Sequence, residues 1–313
     1  MKAVGVTEFG GPEALQVVEI PDPHAGPGEI RLRVRAASVN PADVLVRTGA
    51  GGGTMGGPTP PHVPGMDAAG VVDEVGDGAP HRLRVGDRAM AVVLPSEGRG
   101  AYAEYVVVPA ESVAAAPAGA GFAAAATLPM NGLTAWMALN MLDLQRGQTL
   151  LVTGAAGAVG GYAVQLARHE GIRVVADAAS ADEALVRELG ADVVVPRGDD
   201  AAADALDAVP GGVDGVVDAA LYGQAIVPAV RDGGGVALLR HTVDTVPERG
   251  IALHQVAVSR VARDSDALDH LRELAERGVL TLRVAQTFRP EQASEAHRLL
   301  AAGGIRGRLV IEF

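Results

Sequence analysis

The chain has 313 residues, 48% hydrophobic and 20% charged, with a formal net charge of -12. That length exceeds one small core and implies two domains, or one domain with a large insert. The acidic balance without any basic run argues against nucleic acid and anionic membrane surfaces as partners, and the lack of cysteine excludes disulfides, Cys-ligated zinc and thiol nucleophiles.

"MKAVGVTEFGG" shows no charged n-region followed by a long apolar stretch, so no signal peptide is expected. The longest weakly polar run, Val113 to Met130, is broken by Pro117, Gly119, Gly121 and Pro129 and does not read as a membrane helix. A cytoplasmic location follows by default.

The first hundred residues read as β structure. In "EIRLRVRAASV", Ile30, Leu32 and Val34 alternate with Arg31, Arg33 and Arg35, the pattern of a half-buried strand. "AAGVVDEVG", "DRAMAVV" and "AYAEYVVVP" are further short apolar runs, punctuated by the turn signals "FGGP", "VGDG" and "VGDR". Between them, "RTGAGGGTMGGPTPPHVPGMD" is too rich in Gly and Pro for regular structure, and a loop of that length is expected to be functional or disordered.

After Pro117 the texture changes. "AAAATLPMNGLTAWMALNML" is helix-like and interrupted at Pro129. "TLLVTG" reads as a buried strand, "AVGGYAVQLARHEG" as a helix stopped by Gly171, and "IRVVADAAS" as a strand. "ADEALVRELGA" reads as a helix closed by Gly190, with Ser180 and Glu183 as a capping box. "ADVVVP", "VDGVVDAA" and "GGGVALL" complete the strands. Strands alternating with helices imply an α/β fold with a doubly wound parallel sheet of the Rossmann kind over 122–260. The helices "SDALDHLRELAERG" and "EQASEAHRLLAAGG" follow, and the final strand "RGRLVIEF" is expected to return to the N-terminal β domain. That domain is therefore discontinuous, over 1–121 and 261–313.

Chemistry concentrates in "VTGAAGAVGGYAVQLA". A strand delivers Gly154 to a turn, and Gly157 and Gly160 open the next helix. Glycine lets backbone approach a pyrophosphate, and a helix N-terminus offers unpaired N–H groups and a positive dipole end. The turn Gly154, Ala155, Ala156, Gly157, Ala158, Val159 and Gly160 is thus the candidate cofactor-binding backbone. Tight helix–strand packing without a ligand is the plain alternative. Asp177 ends the next strand roughly 20 residues on, where a dinucleotide fold places an acid for the adenosine ribose. A carboxylate about 4 Å from a 2'-phosphate repels it by about 4 kcal/mol per charge pair at an effective dielectric near 20. No Lys or Arg in Ala178 to Glu183 offsets this, and the next basic residue beyond the following strand is Arg197. NADH is therefore favoured over NADPH.

These segments together resemble the medium-chain dehydrogenase/reductase superfamily, and within it the zinc-free quinone oxidoreductases, the zeta-crystallin-like group. The resemblance runs from "MKAVGVTEFGGPEALQVVEIPDPHAGPGEIRLRVRAASVNPADVLVRTG" through "VPGMDAAGVVDEVG", "VGDRAMA", "GAYAEYVVVP", "LPMNGLTAW" and "GAAGAVGGYAVQLAR" to "RVAQTFRPEQASEAHRLLAAGGIRGRLVI". It implies a GroES-like catalytic domain made from both chain ends, a Rossmann domain between them, and hydride transfer from a nicotinamide to a quinone or an activated alkene. It also implies a homodimer, a small-molecule substrate and no metal. By position, Asn40 carries over as the asparagine lining the nicotinamide and substrate pocket, and Asp43 as its supporting acid. Asn131 and Thr134 carry over beside the cofactor, with Thr134 also among the catalytic candidates, and Arg308 near its phosphates. Met66 and Asp67 line the substrate pocket, and Tyr222 reaches either this cleft or a surface loop. His62 and His241 flank cleft loops, where lone histidines are more often structural or solvated.

The departures are specific. Many relatives carry a tyrosine where this chain has "AGGGTMGG", so that aromatic is missing and no proton donor stands out. The leading expectation is a zinc-independent NAD(P)H-dependent reductase of quinones or α,β-unsaturated carbonyls. The alternatives are a non-redox cyclase or isomerase reusing the fold, and a nucleotide-binding interaction protein without turnover.

Overall fold

The computed structural model describes residues 1–51, 59–79, 82–96, 99–239 and 245–313. His241 and most of the Gly/Pro-rich "AGGGTMGG" stretch, including residues 52–58, lie outside the described residues. In chain order, strands β1 (Lys2–Gly5) and β2 (Gln16–Glu19) precede the long β3 (Glu29–Val39), the short helix α1 (Asp43–Thr48), and strands β4 (Asp67–Val75), β5 (Arg88–Val92), β6 (Tyr105–Pro109) and β7 (Val113–Ala115). Helices α2 (Phe122–Ala125) and α3 (Pro129–Leu142) lead into β8 (Thr149–Thr153), α4 (Ala158–Glu170), β9 (Arg173–Ala178), α5 (Glu183–Glu188), β10 (Val193–Pro196), α6 (Ala201–Ala208), β11 (Val213–Asp218), β12 (Val230–Leu238) and β13 (Ala252–Gln255). The chain closes with α7 (Ser265–Glu276), β14 (Val284–Phe288), α8 (Ala293–Ala302) and β15 (Arg308–Glu312).

Two compact units result. The first comprises Met1–Met130, Ser259–Gly278 and Leu282–Phe313; the second comprises Asn131–Val258 and Val279–Thr281. The sequence reading put the boundaries at 121/122 and 260/261. Phe122–Met130 goes with the first unit because α2 packs on β3, β4, β14 and β15. Val279–Thr281 goes with the second because Thr281 exchanges hydrogen bonds with the Gln165 side chain of α4 at 2.9 and 3.2 Å.

The first unit is built on a sheet ordered β14-β15-β3-β4-β5-β7, with β6 also pairing β3 and a separate β1-β2 ribbon. In β3 the alternation is as expected: Ile30, Leu32 and Val34 are buried while Arg33 and Arg35 are exposed. From Ala36 on the strand is buried on both faces, where α2 and α8 pack on it, and β15 pairs antiparallel along its edge, Leu309 opposite Val39. The core gathers Ile30, Leu32, Val72, Tyr102, Val106, Leu309 and Ile311.

The second unit carries the six-stranded sheet β10-β9-β8-β11-β12-β13, with its neighbouring strands paired in parallel. Continuous apolar strands such as "TLLVT", buried throughout, are what a sheet covered on both faces requires. Helix α4 ends as expected at Gly171, whose left-handed φ of +80° lets its N–H reach the Ala167 and Arg168 carbonyls. The expected capping box does not form. Ser180 begins a 3-10 turn, and Glu183 instead pairs with Arg187 one turn on, at 2.7 Å. The fifth helix therefore starts at Glu183, and the i,i+4 ion pair takes the side chain a capping box needs. Among the described residues, no helix is long and apolar enough to cross a membrane.

Candidate functional site

In the second unit, strand β8 ends at Thr153 and the chain turns through Gly154 in a left-handed conformation, φ +63°. A Cβ on Gly154 would stand 3.1 Å from the Ala219 backbone, and one on Gly160 would stand 2.3 Å from the Gly154 carbonyl oxygen. Gly160 is thus required by the approach of α4 to its own turn. Gly157 is the N-cap, in extended conformation, and no side chain caps the helix. The first N–H groups of an α-helix have no acceptor inside the helix. Close packing demands Gly154 and Gly160.

Asp177 stands at the end of β9 and is buried. Its Oδ1 accepts from the Gly154 N–H at 2.6 Å, and its Oδ2 accepts from the Tyr222 hydroxyl at 3.0 Å. Burial raises its pKa; the bonds from Gly154 and Tyr222 and the nearby charge of Arg197 pull it back in part. Tyr222 therefore sits on Asp177. The loop that presents it is fixed by Asp218, a residue the sequence reading missed. Asp218 Oδ1 accepts from the Thr153 hydroxyl at 2.7 Å and from Tyr222 N–H at 3.0 Å, and Oδ2 accepts from Gly223 N–H at 2.8 Å. The Ala220 N–H donates to Thr153 Oγ1 at 2.9 Å, and Leu221 between them takes a left-handed φ of +65°. Polar residues closing two neighbouring apolar strands, "LLVT" and "VVD", were the available signal. Asn131 and Thr134 lie three residues apart on α3, the first buried and the second half-buried, on one face of the helix.

In the first unit, Asn40 follows the end of β3 and is buried between two carboxylates. Its side-chain amide donates to Asp67 Oδ2 at 2.7 Å and to Ser38 Oγ at 3.1 Å, and the Ser38 hydroxyl donates to the same Asp67 oxygen at 2.7 Å. Asp67 Oδ1 accepts from Met130 N–H at 2.6 Å. Asp43, expected in a loop, is the first residue of α1, and its helical start turns its carboxylate back onto β3. Its Oδ2 accepts from Asn40 N–H at 2.7 Å and the Tyr102 hydroxyl at 2.9 Å, and its Oδ1 accepts from Gly65 N–H at 3.1 Å. Burial pushes Asp43 up to about 7 and Asp67 up to about 6, against the hydrogen bonds that favour their ionised forms. The charge of Arg308, at the start of β15, acts on Asp67 and Tyr102. Met66 is buried beside Asp67. His62 stacks on Phe9, ring centroids 4.6 Å apart, and its backbone pairs with Val6, so it carries the structural role weighed for it.

The sequence reading also missed Tyr102 and His297, buried 3.2 Å apart. Tyr102 spends its one proton on Asp43, so His297 Nε2 is the donating nitrogen of that pair. Burial, with the Arg47 charge nearby, lowers His297 to about 3 and keeps it neutral.

An uncapped glycine turn with an acid at the next strand end, and a GroES-like sheet holding a buried polar cluster, define the class of nicotinamide-dependent dehydrogenases and reductases. Comparison with known proteins makes this specific. Residues 26–118 match the alcohol dehydrogenase GroES-like domain, and residues 189–311 the zinc-binding dehydrogenase family. The chain is 31% identical to an alcohol dehydrogenase of Geobacillus stearothermophilus, covering 100% of this chain and 99% of that protein. It is 28% identical to the quinone oxidoreductase of Mus musculus, covering 99% and 97%. A solved NAD-dependent alcohol dehydrogenase matches with TM-score 0.87 and 31% identity over 100% of both chains. A mycobacterial structure complexed with NADPH matches with TM-score 0.86 and 29% identity, also over 100% of both. Two other relatives are matched over less of their length: 4% of the pikromycin polyketide synthase component PikAII of Streptomyces venezuelae, at 41% identity over 55% of this chain, and 63% of a 2-methylene-furan-3-one reductase of Solanum lycopersicum, at 32% identity over 78% of this chain. The chain belongs to the medium-chain dehydrogenase/reductase superfamily, among its quinone oxidoreductase-type members, and is an oxidoreductase.

Proposed function

We propose that the protein is a zinc-independent reductase of quinones or α,β-unsaturated carbonyls that uses NADH in preference to NADPH. The second unit is its dinucleotide-binding domain and the first its catalytic domain. The carrying observation is Asp177, buried at the strand end and bonded to the first residue of the glycine turn. An acid built into the turn in this way favours a ribose diol over a 2'-phosphate. The fit to a dinucleotide is supported by a helix start that no side chain caps and by the absence of room for a side chain at Gly160. Zinc independence rests on the absence of cysteine.

When bound, the nicotinamide supplies the hydride. The chain's part is to bind, orient and handle protons. Asn40 is the polar group offered towards substrate, and Asp67, Ser38 and Asp43 hold it from behind so that its amide cannot rotate freely. Asn131, Thr134 and Arg308 support the cofactor in this reading. The proton comes from solvent. A cytoplasmic homodimer, paired through the edge of the six-stranded sheet where β13 is outermost, completes the reading.

Steady-state kinetics over a panel of quinones and enones with each nicotinamide test it. NADH is expected to give the higher kcat/KM, and Asp177→Ala to narrow the gap by admitting NADPH. A clear wild-type preference for NADPH overturns the NADH assignment. Failure to oxidise either nucleotide, with retained turnover of a biosynthetic intermediate, overturns the reductase reading in favour of a cyclase or isomerase.

A further inference from the structure

Both oxygens of Asp177 are already engaged, one by Gly154 N–H and one by the Tyr222 hydroxyl. Each oxygen could accept a second bond, but Asp177 is only 1% exposed, so little of the carboxylate is open to a ribose. Tyr222, by contrast, is half-exposed, and the loop that carries it is clamped at Tyr222 N–H and Gly223 N–H by the buried Asp218. A phenol has a single proton. Here that proton is committed inward, to Asp177, so the outward side of the oxygen offers lone pairs alone. The Gly198 backbone N–H also acts on this oxygen.

We propose, resting on the NADH reading above, that Tyr222 is a specificity-determining residue: locked as donor to Asp177, its oxygen accepts from an adenosine ribose hydroxyl and turns away a 2'-phosphate. A ribose hydroxyl can donate, so it completes the phenol's hydrogen bonding. A 2'-phosphate carries about -1.5 to -2 charge and presents only acceptor oxygens at neutral pH. It would meet an acceptor with a carboxylate directly behind it. Arg197 is the cation whose charge reaches Asp177 and Tyr222 among the described residues. Its side chain is exposed, where solvent screens its attraction. The direction of one hydrogen bond therefore acts as the filter, with the acid of β9 setting that direction.

The test inverts the hydrogen bond. In Asp177→Asn the amide oxygen still accepts from Gly154 N–H, while the amide nitrogen donates to the Tyr222 oxygen and frees the phenol proton to point outward. Calorimetric titration of the full chain with ADP-ribose and with its 2'-phosphorylated form isolates the adenosine end, with no nicotinamide and no turnover involved. Wild type is expected to prefer ADP-ribose. D177N should gain affinity for the 2'-phosphorylated form, and adding Tyr222→Phe should remove about three- to tenfold of that gain, the worth of one hydrogen bond. Y222F alone should weaken ADP-ribose binding by a similar factor. Both changes preserve shape, and thermal melting of each variant separates a loss of fold from a loss of binding. Wild type preferring the 2'-phosphorylated form overturns the NADH reading itself. Wild type preferring ADP-ribose, with a D177N gain indifferent to the Tyr222 hydroxyl, overturns the role of Tyr222 and leaves the preference to the charge of Asp177.

Discussion

Gly160 has no room for one extra carbon. A Cβ there would lie 2.3 Å from the Gly154 carbonyl oxygen, a rigid backbone atom. Gly160→Ala must push α4 off its turn, and the expected cost is about 2 kcal/mol or more in urea denaturation, in the range of overpacked cores. Dinucleotide binding should fall with it, because the same shift moves the helix end. An unaltered unfolding midpoint in G160A would show that the turn is looser than its geometry. At this scale the glycines and Asp177 were legible in the sequence, since a strand, a turn, a helix and the next strand are contiguous. Tyr102 and His297 were not. Tyr102 meets Asp43 across 59 residues and His297 across 195, and no local spacing encodes such a meeting. Tyr222 was expected at the cleft or on a surface loop, and its bond to Asp177, 45 residues back along the chain, had no sequence signal.

Elements are held in place by a few polar contacts of unequal worth. Helix α7 starts at Asp264, whose side chain accepts from Ala267 N–H at 2.9 Å. Asp264→Ala should cost about 1 kcal/mol, as for other lost N-caps. The same helix is tied to the chain around Leu83 by Arg82, which reaches Asp266 and Asp269 from an exposed position. Exposed ion pairs contribute little and are screened by salt. Arg82→Ala should therefore shift the urea midpoint less than Asp264→Ala, and its effect should shrink further in high salt. A larger loss from R82A would reverse this ranking. The longer helices α3, α4, α7 and α8 were legible from apolar periodicity and from stops such as Gly171, while α1 and α6 were not. The short strands Val113–Ala115 and Ala252–Gln255 were not, because four or fewer residues carry too little pattern and exist only because a neighbouring strand pairs with them.

For the whole molecule, the buried titratable groups set the pH dependence of stability. Asp43 and Asp67 hold their protons up to about 7 and about 6 in the folded chain, but release them near the ordinary 3.8 when unfolded. Across that window the folded state binds more protons, so these two groups make stability fall as pH rises. His297 acts in the opposite sense. It stays neutral down to about 3 when folded but titrates at 6.5 when unfolded, so its contribution is lost as pH falls below 6.5. Two carboxyls outweigh one imidazole, and the urea midpoint should decline from about pH 5 to about pH 7. Asp43→Asn, which has no proton to release, should flatten that decline relative to wild type. A midpoint that rises steadily over this range in wild type would show that both carboxyls are ionised in the fold.

The sequence by itself determined the α/β class, the strand–glycine–helix turn, the acid at the next strand end and the absence of thiol chemistry, because each is local in the chain or a matter of composition. It also indicated that the last strand goes back to the first sheet, and β15 does pair with β3. Only the tertiary structure decided what surrounds Asn40, which way the Tyr222 proton points and why Gly160 tolerates nothing larger. Those are properties of groups brought within hydrogen-bonding or van der Waals distance by folding, and burial among distant partners sets both their protonation and the direction of their bonds.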